Sequence, residues 1–161
     1  MDAQNQAFIK KLKHPIKFRM YLLAHLPSAL FAGLRITKID EQSCEVSIPY
    51  KWLTKNPFRS TYFACLSMAA ELSTGALCLL HQHAQGPSVS MLVTKVESEY
   101  FKKATGRTYF SCEDGFNIRD MIKEAIGTNE SKIVRAKSVG RNSEGIVVAE
   151  FYITWSFKAR K

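Results

Sequence analysis

The sequence predicts an α+β domain in which a curled antiparallel sheet of about six strands wraps a long central helix, with further helices at the N-terminus. Three observations carry this. Residues 60–80 hold a single charged side chain, Glu71, so a helix there is apolar nearly all round and must be enclosed by protein or lipid. Runs that alternate apolar and polar residues, the period of half-buried strands, recur on both sides of it. Turn residues join those runs as hairpins. A sheet with one long helix inserted after its second strand buries that helix only by curling around it.

Each element has a local reason. Residues 3–13 read as a short helix that stops before His14-Pro15, because the residue before a proline is pushed out of helical conformation. A second helix starts at Pro15, a residue suited to a first turn, and runs to about Ala24. Residues 27–33 add another turn with Gly33 as its stop. Residues 34–39 alternate, 40–43 turn, and 44–50 alternate again as the second strand of a hairpin. Asn56-Pro57 breaks the pattern, and the central helix follows over 60–80, about 30 Å at about 1.5 Å per residue. Small and polar residues and Glu71 interrupt it too often for a membrane span. Residues 91–101 and 107–112 read as strands flanking a turn at 102–106. Asn117 caps a short helix to Ile126, and strands 132–139 and 146–157 bracket a last turn at 141–145. The chain is then one domain, with a helical segment 1–33 and a core 34–158.

Composition bounds the class. With 161 residues, 46% of them apolar and 11% aromatic, one core suffices without a metal or disulfide. The first residues lack the basic start and apolar run of a signal peptide, which leads us to expect a soluble cytoplasmic protein. Cys44, Cys65, Cys78 and Cys112 stand singly among apolar neighbours and read as buried thiols of a reducing compartment. His81 and His83 are the one close pair of metal-capable side chains, and they are expected to follow the helix rather than share a strand face, so no metal is expected.

The formal charge of +9 is uneven. Residues 1–35 and 131–161 each carry net +5, while the middle is nearly neutral. Besides a solvated surface, such ends suit an anionic membrane or a phosphate-bearing ligand such as a coenzyme A ester. Nucleic acid is not expected, because no helix-turn-helix spacing, zinc finger or ribonucleoprotein motif is present. Residues 8–13 and 16–23 mix apolar and basic side chains as an interfacial helix does, or as a helix docked on its own domain does.

Asn56-Pro57-Phe58-Arg59-Ser60-Thr61-Tyr62-Phe63-Ala64, Ala69-Ala70-Glu71-Leu72, the segment Tyr100 to Gly106 and Gly145-Ile146-Val147-Val148-Ala149, set in this order of elements, resemble the hot-dog superfamily of acyl-CoA thioesterases. The resemblance is to the phenylacetate-thioesterase branch and, more closely, to hot-dog domains of unassigned function. It covers about residues 30–158 and implies the hot-dog fold, a homodimer or dimer of dimers, and ligand sites between subunits. One departure stands out. That branch carries His-Gly-Gly where this chain has Arg59-Ser60-Thr61, and the position of its acidic residue falls on Met68, one turn before Glu71.

Thioester hydrolysis needs an activated nucleophile and positive partial charge aimed at the carbonyl oxygen. A helix N-terminus supplies the second, and in the sequence that end is Arg59 to Phe63. Glu71 lies about three turns further on, roughly 16 Å from Ser60, so a site using both draws Glu71 from a partner subunit. Ser60, Ala64, Ser67, Glu71, Thr74 and Cys78 recur at helical spacing and line a narrow acyl or pantetheine groove, or else let the sheet approach closely. Glu71 is the candidate base or nucleophile, and Asn56 orients a water or shapes the turn. Arg59, Ser60, Thr61, Tyr62, Ser67, Lys102 and Lys103 are the candidate substrate-binding residues. The expected activity is hydrolysis of a hydrophobic acyl-CoA, with coenzyme A as part of the substrate and no separate cofactor. The alternative is an acyl-CoA or fatty-acyl binder without catalysis, and association with a membrane surface is a third reading.

Overall fold

Prolines divide the N-terminal segment. In the computed structural model, which describes residues 3–86 and 89–160, α1 (Ala3–Lys13) stops at His14, and α2 (Pro15–His25) and α3 (Pro27–Ala32) each begin on the proline itself. Proline lacks an N–H and has φ fixed near the helical value, so it opens a helix and ends the one before. Gly33 closes α3 in the left-handed region at φ 87, its N–H bonded to the carbonyls of Ala29 and Leu30. Ile9, Leu12, Phe18 and Leu22 are buried, so the segment docks on its own domain through one side of each helix.

The strands are β1 (Arg35–Ile39), β2 (Cys44–Ile48), β3 (Val89–Tyr100), β4 (Thr108–Cys112), β5 (Lys132–Asn142) and β6 (Val147–Ala159). They form one antiparallel sheet in the order β1-β2-β4-β5-β6-β3, which is not closed into a barrel. The expected hairpins β1–β2 and β5–β6 are present. The expected pairing of β3 with β4 is not: β3 pairs along its length with β6, and β4 lies between β2 and β5. The intervening segment is tied elsewhere. Phe101 and Lys102 donate their N–H groups to Val148, and the Ala104 carbonyl accepts both the N–H and the hydroxyl of Thr61, at 2.8 and 3.0 Å. A turn-like composition does not distinguish this crossing from a hairpin.

The central helix, α4, spans Phe63–Ala84 rather than 60–80. Thr61 is held extended by a bridge to Lys55, and Tyr62 has φ −61 and ψ 134, so the first helical residue is Phe63. No breaker lies between Leu80 and Gly86, so the helix continues through His81 and His83, which therefore sit in its last turns instead of after it. The helix after β4, α5 (Gly115–Thr128), also starts earlier than expected, with Asp114 in the cap position in place of Asn117. A side chain at 115 would place a Cβ 2.2 Å from the Glu41 carbonyl, so glycine lets α5 begin against the β1–β2 turn.

The curled sheet covers α4 as expected of a hot-dog fold. Leu66, Ala69, Ala70, Leu77 and Leu80 are buried with Val46, Phe110, Phe151, Ile153 and Phe157 from the strands. Gly140 makes room for the Phe110 ring, which would lie 2.6 Å from a Cβ there, and Phe110 meets Phe151 edge-on at 5.6 Å. α4 is long and apolar enough to cross a membrane, but 67% of its most apolar stretch is buried inside the protein. One strip near its start stays half-open: Ala64, Ser67, Met68 and Glu71 are partly buried and Phe63 is exposed.

Candidate functional site

The segment before α4 takes its shape from Asn56. Its Oδ1 accepts the N–H groups of Phe58 and Ser60 at 3.0 and 3.2 Å and the Ser60 hydroxyl at 3.2 Å, and its Nδ2 donates to the Thr61 carbonyl at 3.5 Å. Asparagine readily bonds the backbone two residues on. The loop so formed carries Arg59 in the left-handed region at φ 58, buries Ser60 and Thr61, and delivers Tyr62 to the Thr54 carbonyl at 2.7 Å. The Tyr62 carbonyl takes the N–H groups of Cys65 and Leu66, and among the described residues no acceptor meets those of Phe63 and Ala64. These two amides, rather than those of Arg59 to Thr61, are the free donors at the positive end of the helix dipole.

Beside that end lies a groove of about 560 Å³. The structure brings Asn56, Ser60, Thr61, Tyr62, Lys102 and Lys103 together along it. Arg59 stands outside its lining, and Ser67 and Glu71 lie further along α4. Lys103 Nζ donates to the Phe58 carbonyl at 3.3 Å, closing the loop over one wall. The apolar surface of this groove is not evident from the sequence: Phe58, Phe63, Tyr100 and Phe101 are between 46% and 71% exposed and face into it with Tyr62. Tyr62 and Phe63 meet edge-on at 4.9 Å. Aromatics left in water around a concave site mark a place for an apolar ligand or partner. The signal available in the sequence was the placing of Phe58 in the Asn56-Pro57 turn and of Tyr100-Phe101 at the very end of a strand, where a core side chain has little to pack on.

Glu71 opens elsewhere in the protomer. It lines a separate pocket of about 240 Å³ with Met68 and Leu72 of α4 and His25 to Ala29 of the α2–α3 junction. Burial raises its pKa above the ordinary carboxylate range. Among the described residues its carboxylate makes no ion pair, and the Thr74 hydroxyl donates to the Glu71 carbonyl instead, at 2.9 Å. The Tyr21 hydroxyl feels the same surroundings, its pKa raised by burial and by the charge of Glu71. Tyr21 packs on the His25 ring at 4.8 Å. Phe63 and Glu71 are eight positions apart, about 12 Å along the helix, so the free amides and the carboxylate do not share a cavity within one chain.

The histidines at the other end of α4 are structural. His81 is buried and its Nε2 meets the Glu41 carbonyl at 2.7 Å, while the His83 ring stacks on Phe8 of α1 at 5.0 Å. Burial lowers the pKa of His81, so its Nε2 donates as a neutral ring.

No curated protein matches the chain in sequence. Solved structures are similar in fold. A protein of unknown function from Chlorobaculum tepidum TLS superposes with a TM-score of 0.79 at 17% identity, covering 98% of this chain and 97% of that one. A Pseudomonas aeruginosa protein described as a probable thioesterase gives 0.74 at 19% identity, over 93% and 99%. A Haemophilus influenzae thioesterase gives 0.64 at 13% identity, over 87% and 88%. At such identities the likeness establishes the hot-dog fold. The family described as Domain of unknown function (DUF4442) matches residues 17–157, and the chain belongs to it.

Proposed function

We propose that the protein is a thioesterase-like hydrolase acting on a hydrophobic acyl-CoA, in a site completed by a second subunit. The observation that carries the reading is the aromatic groove laid against the free Phe63 and Ala64 amides at the start of α4. In this reading the two amides receive the thioester carbonyl oxygen as it gains negative charge, and the aromatic walls hold the acyl or pantetheine chain. Lys102, Lys103 and the exposed Arg59 meet the phosphates of coenzyme A. Glu71 of a second chain, its pKa raised by burial, takes a proton from the attacking water. Coenzyme A leaves as its thiol and the acyl group as a free acid. The long free rim of β3, at one edge of the sheet, is the place for a second copy. Four buried cysteine thiols fit a reducing, cytoplasmic setting.

The test is release of coenzyme A thiol from a panel of acyl-CoA esters, read beside the oligomeric state by sedimentation. Glu71→Gln is expected to lower turnover about a hundredfold or more with the oligomer unchanged; full turnover in that variant sinks the assignment. Mixing Glu71→Gln with a groove variant, Lys102→Glu/Lys103→Glu, should restore activity that neither has alone. A second reading, an acyl binder without hydrolysis, is favoured by the distance of Glu71 from the groove of its own chain. It expects calorimetric binding of an acyl-CoA with no thiol release from any member of the panel.

A further inference from the structure

A second cavity lies away from the aromatic groove. It has a volume of about 280 Å³ and an apolar floor that includes Phe18 and Leu34, and its walls carry Lys13, Arg19, Arg35 and Lys51. These four cations come from α1, α2, β1 and the segment after β2, so the fold gathers them from distant parts of the chain. Among the described residues none of the four has an ion pair. Lys13 helps hold Asp40 ionised without bonding to it, and no carboxylate lines the cavity. Like charges gathered around a cavity that no carboxylate lines repel, and an anion seated among them relieves that repulsion.

The cavity shares Arg19 and Leu30 with an apolar face on α2 and α3. Ile16, Met20 and Leu23 recur at helical spacing and are 66%, 65% and 59% exposed, and Phe31 beside them is 61% exposed. The opposite side of α2 buries Phe18 and Leu22, so the outer residues are not needed for the core. An apolar helix face edged by lysine and arginine is the pattern of a helix lying in a bilayer interface.

We propose that this face docks on an anionic phospholipid bilayer, with a lipid phosphate in the cleft of Lys13, Arg19, Arg35 and Lys51 and with Ile16, Met20, Leu23 and Phe31 in the acyl layer. Charge decides between occupants. A second copy of the chain would bring its own N-terminal segment of net +5 against the first, whereas an anionic bilayer supplies both the counter-charge and an apolar phase. The inference rests on this face alone and stands apart from the hydrolase reading.

The experiment uses the whole chain with vesicles of phosphatidylcholine, alone or mixed with phosphatidylglycerol, at low salt. Cosedimentation is expected with the mixed vesicles and not with phosphatidylcholine alone. Arg35→Gln/Lys51→Gln should weaken partition about thirtyfold, the fold-change for two cations at ~1 kcal/mol each near such a surface. Lys123→Gln on α5, which removes a charge outside the cleft, should leave it within about twofold because screening limits distant charges. Met20→Ser/Leu23→Ser should reduce partition strongly while the thermal midpoint stays that of the parent. Met20→Trp should gain fluorescence that brominated lipid quenches, which reads insertion without removing an apolar side chain. Absence of binding to the mixed vesicles, or a Met20→Trp signal blind to brominated lipid, overturns the proposal. So does titration of the cleft by glycerol phosphate with no vesicle partition, which identifies a soluble phosphate ligand. A smaller oligomer in Met20→Ser/Leu23→Ser gives the face to a second copy and likewise overturns it.

Discussion

The indole N–H of Trp155 on β6 donates to the Thr74 hydroxyl of α4 across 2.9 Å in the buried core. That hydroxyl in turn donates to the Glu71 carbonyl one turn back, so a polar thread joins sheet and helix within an otherwise apolar contact. Thr74→Val keeps the shape but leaves the indole N–H without an acceptor. It should cost ~1–3 kcal/mol, seen as a lower urea midpoint with an unchanged denaturant slope. An unchanged midpoint would mean that the indole finds water.

Glu71 carries a stability signature of its own. Its ordinary pKa is 4.5 and burial raises it in the folded chain. Between those two values the folded protein keeps the proton and the unfolded chain releases it, so stability falls as pH rises through that window. Glu71→Gln should remove this slope and melt at a higher temperature than the parent at neutral pH, the two converging in acid. A variant that is more stable yet inactive is the mark of a carboxylate kept for chemistry.

His81 should act in the opposite sense. Burial lowers its pKa from the ordinary 6.5. As pH falls through 6.5 toward the folded value, the unfolded chain takes up a proton that the folded chain refuses, and stability is lost. His81→Phe should flatten that part of the pH–stability curve. At neutral pH it should cost ~1–3 kcal/mol, because the Glu41 carbonyl loses its donor. Thermal melts on both proteins across mildly acid pH would show it.

The cysteines should be silent. Burial raises the thiols of Cys44, Cys65 and Cys78 and pushes Cys112 up to about 12, so almost no thiolate forms at neutral pH. Iodoacetamide should label none of them in the folded protein and all four in denaturant, by mass spectrometry. Rapid labelling of Cys65 alone would mean that the start of α4 opens locally.

Much of this architecture is legible from spacing. Pro15 and Pro27 place α2 and α3, Gly33 ends α3, and the alternation of 34–39 and 44–50 marks the first hairpin because each signal acts within a few residues. The edge position of β3 is not legible in that way. Its partner is β6, with Val89 opposite Ala159, and nothing near residue 100 shows that the chain will cross the sheet instead of turning back. The start of α4 is hidden for a related reason: the Asn56 side chain ties Ser60 and Thr61 into the preceding loop although both suit a helix start. At the groove, Lys102, Lys103 and Tyr62 were found through their chemistry. Phe58, Tyr100 and Phe101 were not, because an aromatic in a one-dimensional pattern reads as core until the fold leaves it in water. Glu71 stood out as the single charge in the helix, but its covering by His25 to Ala29 depends on how the N-terminal segment docks.

The pairing of β3 with β6 also bears on how the chain reaches its fold. α4 and β3 are made before α5, β5 and β6, yet β3 is held in the sheet by β6. Bringing such remote strands together carries a loop-closure cost before any contact rewards it, so folding is slow for a domain of this size. During synthesis β2 and α1 are at hand to meet α4, but the sides of it that pack on β4, α5, β5 and β6 wait until those elements have left the ribosome, and they are the surface that a chaperone would shield.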